Sequence, residues 1–259
     1  MQKKVILITG ASSGIGKQLA LDYASKGFNL VLAARRTDLL VQVKSECEIW
    51  GVKCKVFAID LEQAHSIPDF ATQALAAFGR IDILINNAGI SQRGSAAQTE
   101  ISVVRKMMEI NFFPAITLSH TLLDEIRKNK GSIVVISSMS GLFGFHDRSA
   151  YSASKFALHG YFETLNIEEP GVHVLLVCPG RVKTDISLSA LSADGSKHGI
   201  MDKAHINGIS VEKCSEKIIR AVDNKKSLIL IAKEEKILYW LKKISYSLFI
   251  KIARKAKSN

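Results

Sequence analysis

The stretch Thr9-Gly10-Ala11-Ser12-Ser13-Gly14-Ile15-Gly16 follows the short apolar run Lys4–Thr9 and opens a segment with helical periodicity. Glycines in such a turn let the backbone fold tightly and come close to a pyrophosphate group. The N-terminus of the helix that follows offers free N–H groups and the positive end of a helix dipole. The stretch therefore predicts a dinucleotide-binding turn between a first strand and a first helix, with ligand contacts from Gly10, Ser12, Ser13, Gly14, Ile15 and Gly16.

Short runs of aliphatic and β-branched residues recur along the chain, with helical stretches between them. The runs are almost continuously apolar, which is typical of strands buried on both faces of a parallel sheet. Strands are predicted at Lys4–Thr9, Asn29–Ala33, Lys53–Ile59, Ile81–Asn86, Ser132–Ser137, Val172–Cys178 and Ser227–Ala232. Helices are predicted at Ile15–Lys26, Asp38–Trp50, Ala64–Phe78, Ala97–Lys128, Ala153–Asn166 and Val211–Asp223. This alternation predicts an α/β fold, a doubly wound parallel seven-stranded sheet in a Rossmann-type, three-layer α/β/α arrangement.

The composition fits one large globular domain followed by a basic segment. Of the 259 residues, 47% are hydrophobic and 23% are charged, which excludes a disordered chain. Four cysteines without a Cys-x-x-Cys pair, and histidines without ligand spacing, predict no metal site. Residues 233–259 carry eight Lys or Arg and two Glu, and so hold +6 of the net charge of +11. We therefore divide the chain into a domain at 1–232 and a C-terminal segment at 233–259.

The end of the second predicted strand reads Ala33-Ala34-Arg35-Arg36. A site for NAD usually has an acidic side chain here, which binds the adenosine ribose and repels a 2′-phosphate. Arg35 and Arg36 instead offer charge-assisted bonds to that phosphate and favour NADP(H), unless both are solvated surface charges. After the third strand, Asp60 and its neighbour Leu61 are predicted to contact the adenine. Capping of the next helix is the alternative role for Asp60.

With further motifs in the same order, residues 4–232 resemble the short-chain dehydrogenase/reductase superfamily, and in particular its member 7B group and that group's bacterial relatives. The motifs are TGASSGIG at 9–16, Asn86-Asn87-Ala88-Gly89, Asn111, Ser138, Tyr151-Ser152-Ala153-Ser154-Lys155, Pro179-Gly180 and Thr184. The resemblance implies one active site per subunit and a homodimer or homotetramer built on the helices after strands four and five. It also implies cofactor contacts from Asn87, Ala88, Gly89, Tyr151, Lys155, Pro179, Gly180, Val182 and Thr184.

Four of these residues form the predicted catalytic set. Reduction of a ketone needs a hydride from the nicotinamide and a proton, which we assign to Tyr151. Lys155 lies one helical turn on, and its ammonium, next to an oxidised nicotinamide in the alcohol-oxidising direction, is expected to favour the tyrosinate and lower the pKa of Tyr151 from about 10. Ser138 is predicted to bond the substrate oxygen, because the family spacing selects it over Ser137. By resemblance, Asn111 would hold a water that links Lys155 to solvent, and Lys155 would hold the nicotinamide ribose.

The predicted function is reversible NADP(H)-dependent interconversion of a carbonyl and a secondary alcohol. Apolar residues near the site, including Phe145 and Leu188, favour a lipophilic ketone such as a keto-lipid, a 3-oxo compound or a sterol-like ketone. The glycine-containing segment 184–210 is predicted to be a lid or binding loop, with an ordinary surface loop as the alternative. Two alternatives are a non-catalytic NADP(H)-binding sensor or scaffold, against which the complete catalytic set argues, and a sugar-nucleotide epimerase.

The segment 233–259 is predicted to form one basic amphipathic helix. Its apolar face comprises Ile237, Leu241, Ile244, Leu248 and Ile252, widened by Leu238 and Phe249, whereas Tyr239, Tyr246 and Ile250 lie opposite. Such a helix is typical of a membrane surface, and packing against its own domain or a dimer mate is the alternative. No nucleic acid partner is predicted, and no secretory signal or spanning apolar run is seen. We therefore expect a cytoplasmic protein with peripheral contact to the inner face of a membrane.

Overall fold

A computed structural model describes residues 3–200 and 207–255 of the chain. Seven parallel strands form one sheet in the order β3-β2-β1-β4-β5-β6-β7. The strands are β1 Val5–Thr9, β2 Asn29–Ala34, β3 Cys54–Ala58, β4 Ile83–Asn86, β5 Ser132–Ile136, β6 His173–Pro179 and β7 Leu228–Ile231. The strand order reverses direction between β1 and β4, and ligands of open α/β sheets bind at the carboxyl ends of the strands at such a point.

Nine helices accompany the sheet within the described residues. They are α1 Gly14–Ser25, α2 Thr37–Glu48, α3 Ile67–Ala76, α4 Ile101–Asn111, α5 Phe113–Lys128, α6 Ser149–Glu168, α7 Val211–Asp223, α8 Glu235–Ile244 and α9 Tyr246–Ala253. Short 3₁₀ turns occur at Ala64–Ser66, Met139–Gly141 and Asp185–Ser187. The predicted doubly wound fold with seven strands is confirmed.

The two faces of the sheet carry separate apolar cores, because successive strand residues point to opposite sides. On one face, Ile6 and Ile8 of β1 pack in a core that includes buried side chains of α1, α2 and α7. On the other face, Val5 and Leu7 pack in a core that includes side chains of α3, α5 and α6. Helices on both faces explain why the strands read as continuous apolar runs rather than alternating ones.

The prediction of one continuous helix at Ala97–Lys128 is wrong. The structure has two helices, α4 and α5, which meet at Phe112, and residues 97–100 lie outside both. Pro114 stands in the first turn of α5. It has no N–H to donate to the carbonyl of Ile110, four residues earlier, so the helical ladder is interrupted there. The break leaves Asn111 as the last residue of α4, at the edge of the sheet where the glycine turn lies.

The C-terminal segment also differs from the single helix predicted for 233–259. Ser245 is extended and ends α8, and its hydroxyl accepts a hydrogen bond from the backbone N–H of Leu248, so that it caps α9. Both helices pack on the domain rather than extend from it. Residues 256–259 of the predicted helix and residues 201–206 of the predicted lid lie outside the described part of the chain.

The face of the C-terminal helices that packs inward matches the predicted one only at Leu238, Leu241 and Phe249. Tyr239 and Phe249 are buried against Met139, Phe143, Cys178 and Ala232, and Leu238, Leu241, Ile250 and Ala253 pack partly buried beside them. Of the predicted apolar face, Ile237 and Ile244 remain exposed, and Leu248 and Ile252 also face outward. The break at Ser245 changes the direction of the chain, so one helical period does not describe both halves. Within the described residues, no helix is both long and apolar enough to cross a bilayer.

Candidate active site

The glycine turn after β1 is built for close backbone contacts. Gly10 and Gly14 have φ values of +65° and +56°, in the left-handed region that favours glycine. A Cβ on Gly10 would lie 2.8 Å from Nδ2 of Asn87, and one on Gly16 would lie 2.5 Å from the carbonyl oxygen of Gly10. Side chains at these positions would therefore displace backbone. The glycines leave the start of α1 open to a ligand, as the sequence predicts.

The residues after β4 are locked to the same turn by hydrogen bonds. The Thr9 hydroxyl accepts hydrogen bonds from the backbone N–H groups of Asn87 at 3.0 Å and Ala88 at 3.1 Å. The Asn87 side-chain amide donates to the carbonyl oxygens of Thr9 at 2.9 Å and Gly10 at 3.2 Å. A Cβ on Gly89 would lie 2.9 Å from Oδ1 of Asn111. The predicted cofactor residues of both motifs therefore form one rigid cradle.

The arginines at the end of β2 lie beside this cradle. Arg36 donates hydrogen bonds from Nη2 to the hydroxyls of Ser12 at 3.1 Å and Ser13 at 2.7 Å. Both Arg35 and Arg36 are exposed and therefore open to an anionic ligand. The tight turn, the open helix start and two exposed cations together fit a phosphorylated dinucleotide.

Asp60 and Leu61 follow β3, at the same edge of the sheet. The Asp60 carboxylate accepts a hydrogen bond from the backbone N–H of Glu62 at 3.1 Å. Leu61 is buried, with 8% of its surface exposed. The Asp60 contact is local and supports the turn that follows the strand, while its predicted bond to adenine stays a prediction.

Ser138 follows β5 and Tyr151 lies in the first turn of α6, and hydrogen bonding with Ser138 lowers the pKa of the phenol. The Ser138 hydroxyl also accepts a hydrogen bond from the backbone N–H of Ser140 at 3.1 Å, which fixes its direction. Ser137, the rival candidate, has its hydroxyl 3.4 Å from the carbonyl oxygen of Lys155. Ser138 is thus the serine that meets Tyr151, as the spacing predicts.

Lys155 lies one turn after Tyr151 on α6 and is 4% exposed. Its Nζ donates a hydrogen bond to the carbonyl oxygen of Ile136 at 2.8 Å and lies 5.8 Å from the centre of the Tyr151 ring. Burial lowers the pKa of Lys155 to about 8, because the ammonium loses solvation. The lysine is therefore close to releasing its proton near neutral pH.

The pKa of Tyr151 is raised above its usual value. Burial raises it, and the hydrogen bond from Ser138 and the charge of Arg148 offset this effect only in part. The reason is that desolvation of the phenolate outweighs the neighbouring charges, while the Lys155 ammonium is bonded to Ile136. Tyr151 is consequently held in its protonated form, which is the form that a proton donor needs.

Asn111 is positioned by the end of α4. Its amide donates to the carbonyl oxygen of Ile90 and to the hydroxyl of Ser154, each at 3.0 Å, and its Oδ1 accepts from the backbone N–H of Ile90 at 2.8 Å. A small cavity of about 10 Å³ lies beside it and is lined by Thr9, Asn86 and Lys155, among others. That volume suits a single water molecule.

The segment after β6 closes the other side of the cradle. Pro179 ends β6, and a Cβ on Gly14 would lie 3.2 Å from Cγ2 of Thr184. Val182 is buried and pairs with Ile209 in a short parallel bridge. A Cβ on Gly180 would lie 2.9 Å from Oε1 of Glu235, so α8 presses on this segment. Thr184 therefore lies against the glycine turn, and Pro179, Gly180 and Val182 belong to the segment that leads to it.

The segment 184–210 is not a free lid over its whole described length. The backbone N–H of Arg93 donates to the carbonyl of Leu191 at 2.7 Å, and the N–H of Leu191 donates to Ser91 at 2.9 Å. The N–H of Glu100 donates to the carbonyl of Ala193 at 2.9 Å. This part is therefore held to the β4–α4 connection, and Leu191 packs partly buried on the cluster that contains Tyr151.

The two predicted substrate side chains have different surroundings. Phe145 packs on Phe143, with ring centres 4.7 Å apart, in the cluster beneath α8 and α9. Leu188 is half-buried next to the 3₁₀ turn at Asp185–Ser187. Phe145 therefore has a packing role in the cluster, and contact of either residue with a substrate stays a prediction.

Two residues of the site were not predicted from the sequence. Arg148 lies 5.8 Å from the centre of the Tyr151 ring and lowers its pKa. Its place three residues before Tyr151, on the same helical face, is a signal that the sequence does contain. Glu235 is 8% exposed and accepts a hydrogen bond at 3.2 Å from the backbone N–H of Arg181. A single sequence offers no sign that this tail carboxylate reaches the cradle.

Comparisons with known proteins agree with this geometry. The model of the short chain dehydrogenase family matches residues 4–194. A Drosophila melanogaster protein named "Dehydrogenase/reductase SDR family protein 7-like" is 38% identical over 260 residues, covering 97% of this chain and 80% of that protein. The Xenopus laevis protein "Dehydrogenase/reductase SDR family member 7B" is 38% identical over 241 residues, covering 90% of this chain and 75% of that protein.

Solved structures are similar over most of the chain as well. An alcohol dehydrogenase from the archaeon Thermococcus sibiricus, in complex with 5-hydroxy-NADP, is 26% identical with a TM-score of 0.77. The similarity covers 88% of this chain and 95% of that one. On the strength of the family match, the relatives and the fold, this chain belongs to the short chain dehydrogenase family.

Proposed function

We propose that this protein is an NADP(H)-dependent oxidoreductase that interconverts a lipophilic ketone and its secondary alcohol. As a short chain dehydrogenase it is an oxidoreductase. The reaction type is supported by the placement of Ser138, which lowers the pKa of Tyr151, and of Lys155, which is buried one turn after Tyr151. The Ser138 hydroxyl could then bind the carbonyl oxygen of a substrate, and the Tyr151 hydroxyl could protonate it.

Each residue has a distinct task in ketone reduction. NADPH, when bound, supplies the hydride. The glycine turn and Thr184 would hold the dinucleotide, and Lys155 would hold its ribose. Ser138 would orient the carbonyl oxygen, and Tyr151 would donate its proton to that oxygen as negative charge develops there. Because the ordinary pKa of a phenol is about 10 and burial raises it, Tyr151 is protonated at neutral pH and has a proton to donate.

The proton lost by Tyr151 must be replaced from solvent. The cavity beside Asn111 and Lys155 has room for one water, and Oδ1 of Asn86 next to it is buried without a hydrogen-bond partner among the described residues. A water there would bond Asn86 and Lys155. Since the pKa of Lys155 is about 8, its ammonium can pass a proton to Tyr151 and be reprotonated through that water.

The preference for NADP(H) rests on the end of β2. Arg35 and Arg36 stand there with no acidic side chain, and Arg36 already contacts two hydroxyls of the glycine turn. The similar alcohol dehydrogenase of Thermococcus sibiricus was solved with 5-hydroxy-NADP. A charge-assisted phosphate contact contributes about 1.5–3 kcal/mol, so we expect NADPH to bind about 10- to 100-fold more tightly than NADH.

The lipophilic substrate class is supported by the surroundings of Tyr151. Its ring belongs to an apolar cluster with Ile90, Val103, Met107, Ile110 and Ala150, and Leu191 covers it in part. Keto-lipids, 3-oxo compounds and sterol-like ketones would gain by burying carbon against such a wall. We also propose a homodimer or homotetramer, which the family resemblance implies and which the exposed Phe113 of α5 would support.

The test is a panel of ketones of increasing chain length, mixed with the protein and NADPH, in which absorbance of the reduced nicotinamide is followed. We expect turnover with NADPH, a rising kcat/KM with chain length, and at least tenfold lower kcat/KM with NADH. Arg35→Ala with Arg36→Ala should remove the cofactor preference, whereas the exposed control Arg220→Ala should keep it. Tight NADPH binding without turnover of any ketone or alcohol would favour the alternative, a non-catalytic sensor or scaffold.

A further inference from the structure

The C-terminal helices carry an unusually apolar surface on the side that faces away from the domain. Five large side chains contribute to it, three from α8 and two from α9. We call them the outer tail face: Ile237 (67% exposed), Trp240 (55%), Ile244 (82%), Leu248 (45%) and Ile252 (41%). Large exposed apolar side chains grouped on one short segment in this way mark an interaction site.

Folding of these helices does not require the outer tail face. The opposite side already docks α8 and α9, through buried Tyr239 and Phe249, and Phe249 packs edge-on against Phe143 at 5.8 Å. Lys242 adds a hydrogen bond from Nζ to the carbonyl of Leu142 at 2.7 Å. The helices are thus apolar on two sides, and only one side is used within the described chain.

Positive charge surrounds the outer tail face. Exposed cations there are Lys233, Lys243, Lys251, Arg254 and Lys255. The described residues 233–255 include two acidic side chains, of which Glu234 is exposed and Glu235 is buried. Nζ of Lys243 lies 5.3 Å from the centre of the Trp240 ring. Aliphatic groups, one tryptophan and lysines with long flexible stems are therefore combined on one surface.

We propose that the outer tail face binds the surface of a bilayer rich in anionic phospholipid, without spanning it. Isoleucine and leucine can enter the acyl boundary, tryptophan favours the headgroup level, and lysines reach phosphate groups beside them. A second copy of the chain is a poorer occupant, because two strongly cationic faces would repel each other. A nucleic acid would meet the same cations but gain nothing from the exposed isoleucines.

The start of α8 is tied to the connection that follows β6. Nζ of Lys233 donates to the carbonyl of Asn207 at 3.2 Å, and Glu235 contacts the backbone of Arg181. These contacts hold α8 in place on the domain, and the binding of the outer tail face to a membrane does not depend on the proposed function.

The apolar part of the proposal is tested by vesicle co-sedimentation of the full-length protein. The variant is Trp240→Ser with Ile244→Ser. Its matched control is Ile49→Ser with Trp50→Ser at the end of α2, where the exposures are 81% and 58%. That pair lies beside β3, at the opposite edge of the sheet from β7. We expect the tail variant to bind phosphatidylserine-containing vesicles at least tenfold more weakly, and the control to bind like the original chain.

The electrostatic part uses Lys243→Gln, Lys251→Gln and Lys255→Gln together, with Lys26→Gln, Lys55→Gln and Lys217→Gln as the control of equal charge change. At about 1 kcal/mol for each basic residue near an anionic surface, the tail triple variant should bind about a hundredfold more weakly. Binding of the original chain should also weaken as the salt concentration rises from about 0.1 M to about 1 M, which shortens the Debye length from about 10 Å to about 3 Å.

Each contrary outcome overturns the proposal. Equal sedimentation of tail and control variants means that the outer tail face does not hold the membrane. Equal binding to neutral and anionic vesicles removes the electrostatic part. If the tail variants instead lose a dimer in lipid-free solution, the face is an interface between copies of the chain. Unchanged thermal midpoints and NADPH binding show that the variants are folded, and they separate this test from that of the proposed function.

Discussion

The glycine turn and the C-terminal helices were both predicted from spacing, but the structure bears them out to different degrees. In the turn, Gly10 and Gly14 need positive φ values, and Asn87 fits only because no side chain stands at Gly10 or Gly16. In the tail, the predicted apolar residues are present, yet most of them face outward. The positive φ values required at Gly10 and Gly14 determine the conformation of the turn. The apolar periodicity of the tail does not determine which side packs inward, because its helices are apolar on two sides.

The two regions are also held by different forces. The cradle around the turn is a network of directed hydrogen bonds, with Thr9 and Asn87 bonded at 2.9–3.2 Å. The tail is held mainly by the buried rings of Tyr239 and Phe249. Directed bonds tolerate little displacement, while apolar packing depends on area and shape. Substitutions should therefore act on activity in the first region and on stability in the second.

The largest expected effect is that of Tyr151→Phe on turnover. Removal of the phenolic proton donor should lower kcat by about a thousandfold, within the range that general acid catalysis contributes. NADPH affinity should be almost unchanged, because the ring and its packing remain. Steady-state kinetics together with a fluorescence titration of NADPH measure the two quantities separately.

The matched control is Tyr161→Phe, on the same helix, whose ring packs on Phe112 and Phe162. It should keep kcat within a factor of about two. A Tyr151→Phe protein that still reduced ketones at a tenth of the original rate would show that another group donates the proton.

Phe249→Ala should have the second largest effect, on stability. The ring is 3% exposed, and truncation of such a side chain costs about 3–5 kcal/mol, less if the tail can undock and rearrange. Its neighbour Leu248→Ala, on the outer tail face, should cost under about 0.5–1 kcal/mol. Urea unfolding of both variants gives the comparison, and equal losses would contradict the assignment of inner and outer sides.

The fold and the relative placement of Tyr151 and Lys155 could be predicted from the sequence, for identifiable physical reasons. Continuous apolar runs predicted the strands, and the spacing of Tyr151 and Lys155 predicted that they lie one turn apart on a helix, as they do on α6. The break at Phe112 was missed because Pro114 can stand either inside a kinked helix or in the first turn of a new one. Burial of the Tyr151 phenol, which raises its pKa, depends on packing that no local pattern reveals.

Lys155→Met should stabilise the protein at neutral pH while weakening NADPH binding. Folded Lys155 has a pKa of about 8, against 10.5 in the unfolded chain, so below pH 8 the folded state carries a costly buried ammonium. Its removal should add about 2–3 kcal/mol at pH 7. Between pH 8 and 10.5 the unfolded chain binds the extra proton, so the original protein gains stability and the difference shrinks. Urea midpoints across this range, with exposed Lys26→Met as control, should show a gap that narrows only for Lys155→Met.

The smallest predicted effect joins the two regions. Glu235 accepts hydrogen bonds from the backbone N–H groups of Arg181 at 3.2 Å and Lys233 at 3.1 Å, and so ties the start of α8 to the segment beside the cradle. Glu235→Ala should free that segment and weaken NADPH binding about tenfold, because the segment must then be ordered when the cofactor binds. At saturating NADPH, kcat should change less than threefold, since Tyr151 and Ser138 are untouched. The neighbouring exposed acid provides the control, Glu234→Ala, which should leave the dissociation constant unchanged. A Glu235→Ala protein that is less stable but binds NADPH normally would mean that Glu235 only fastens the tail, and that the cradle and the tail are independent.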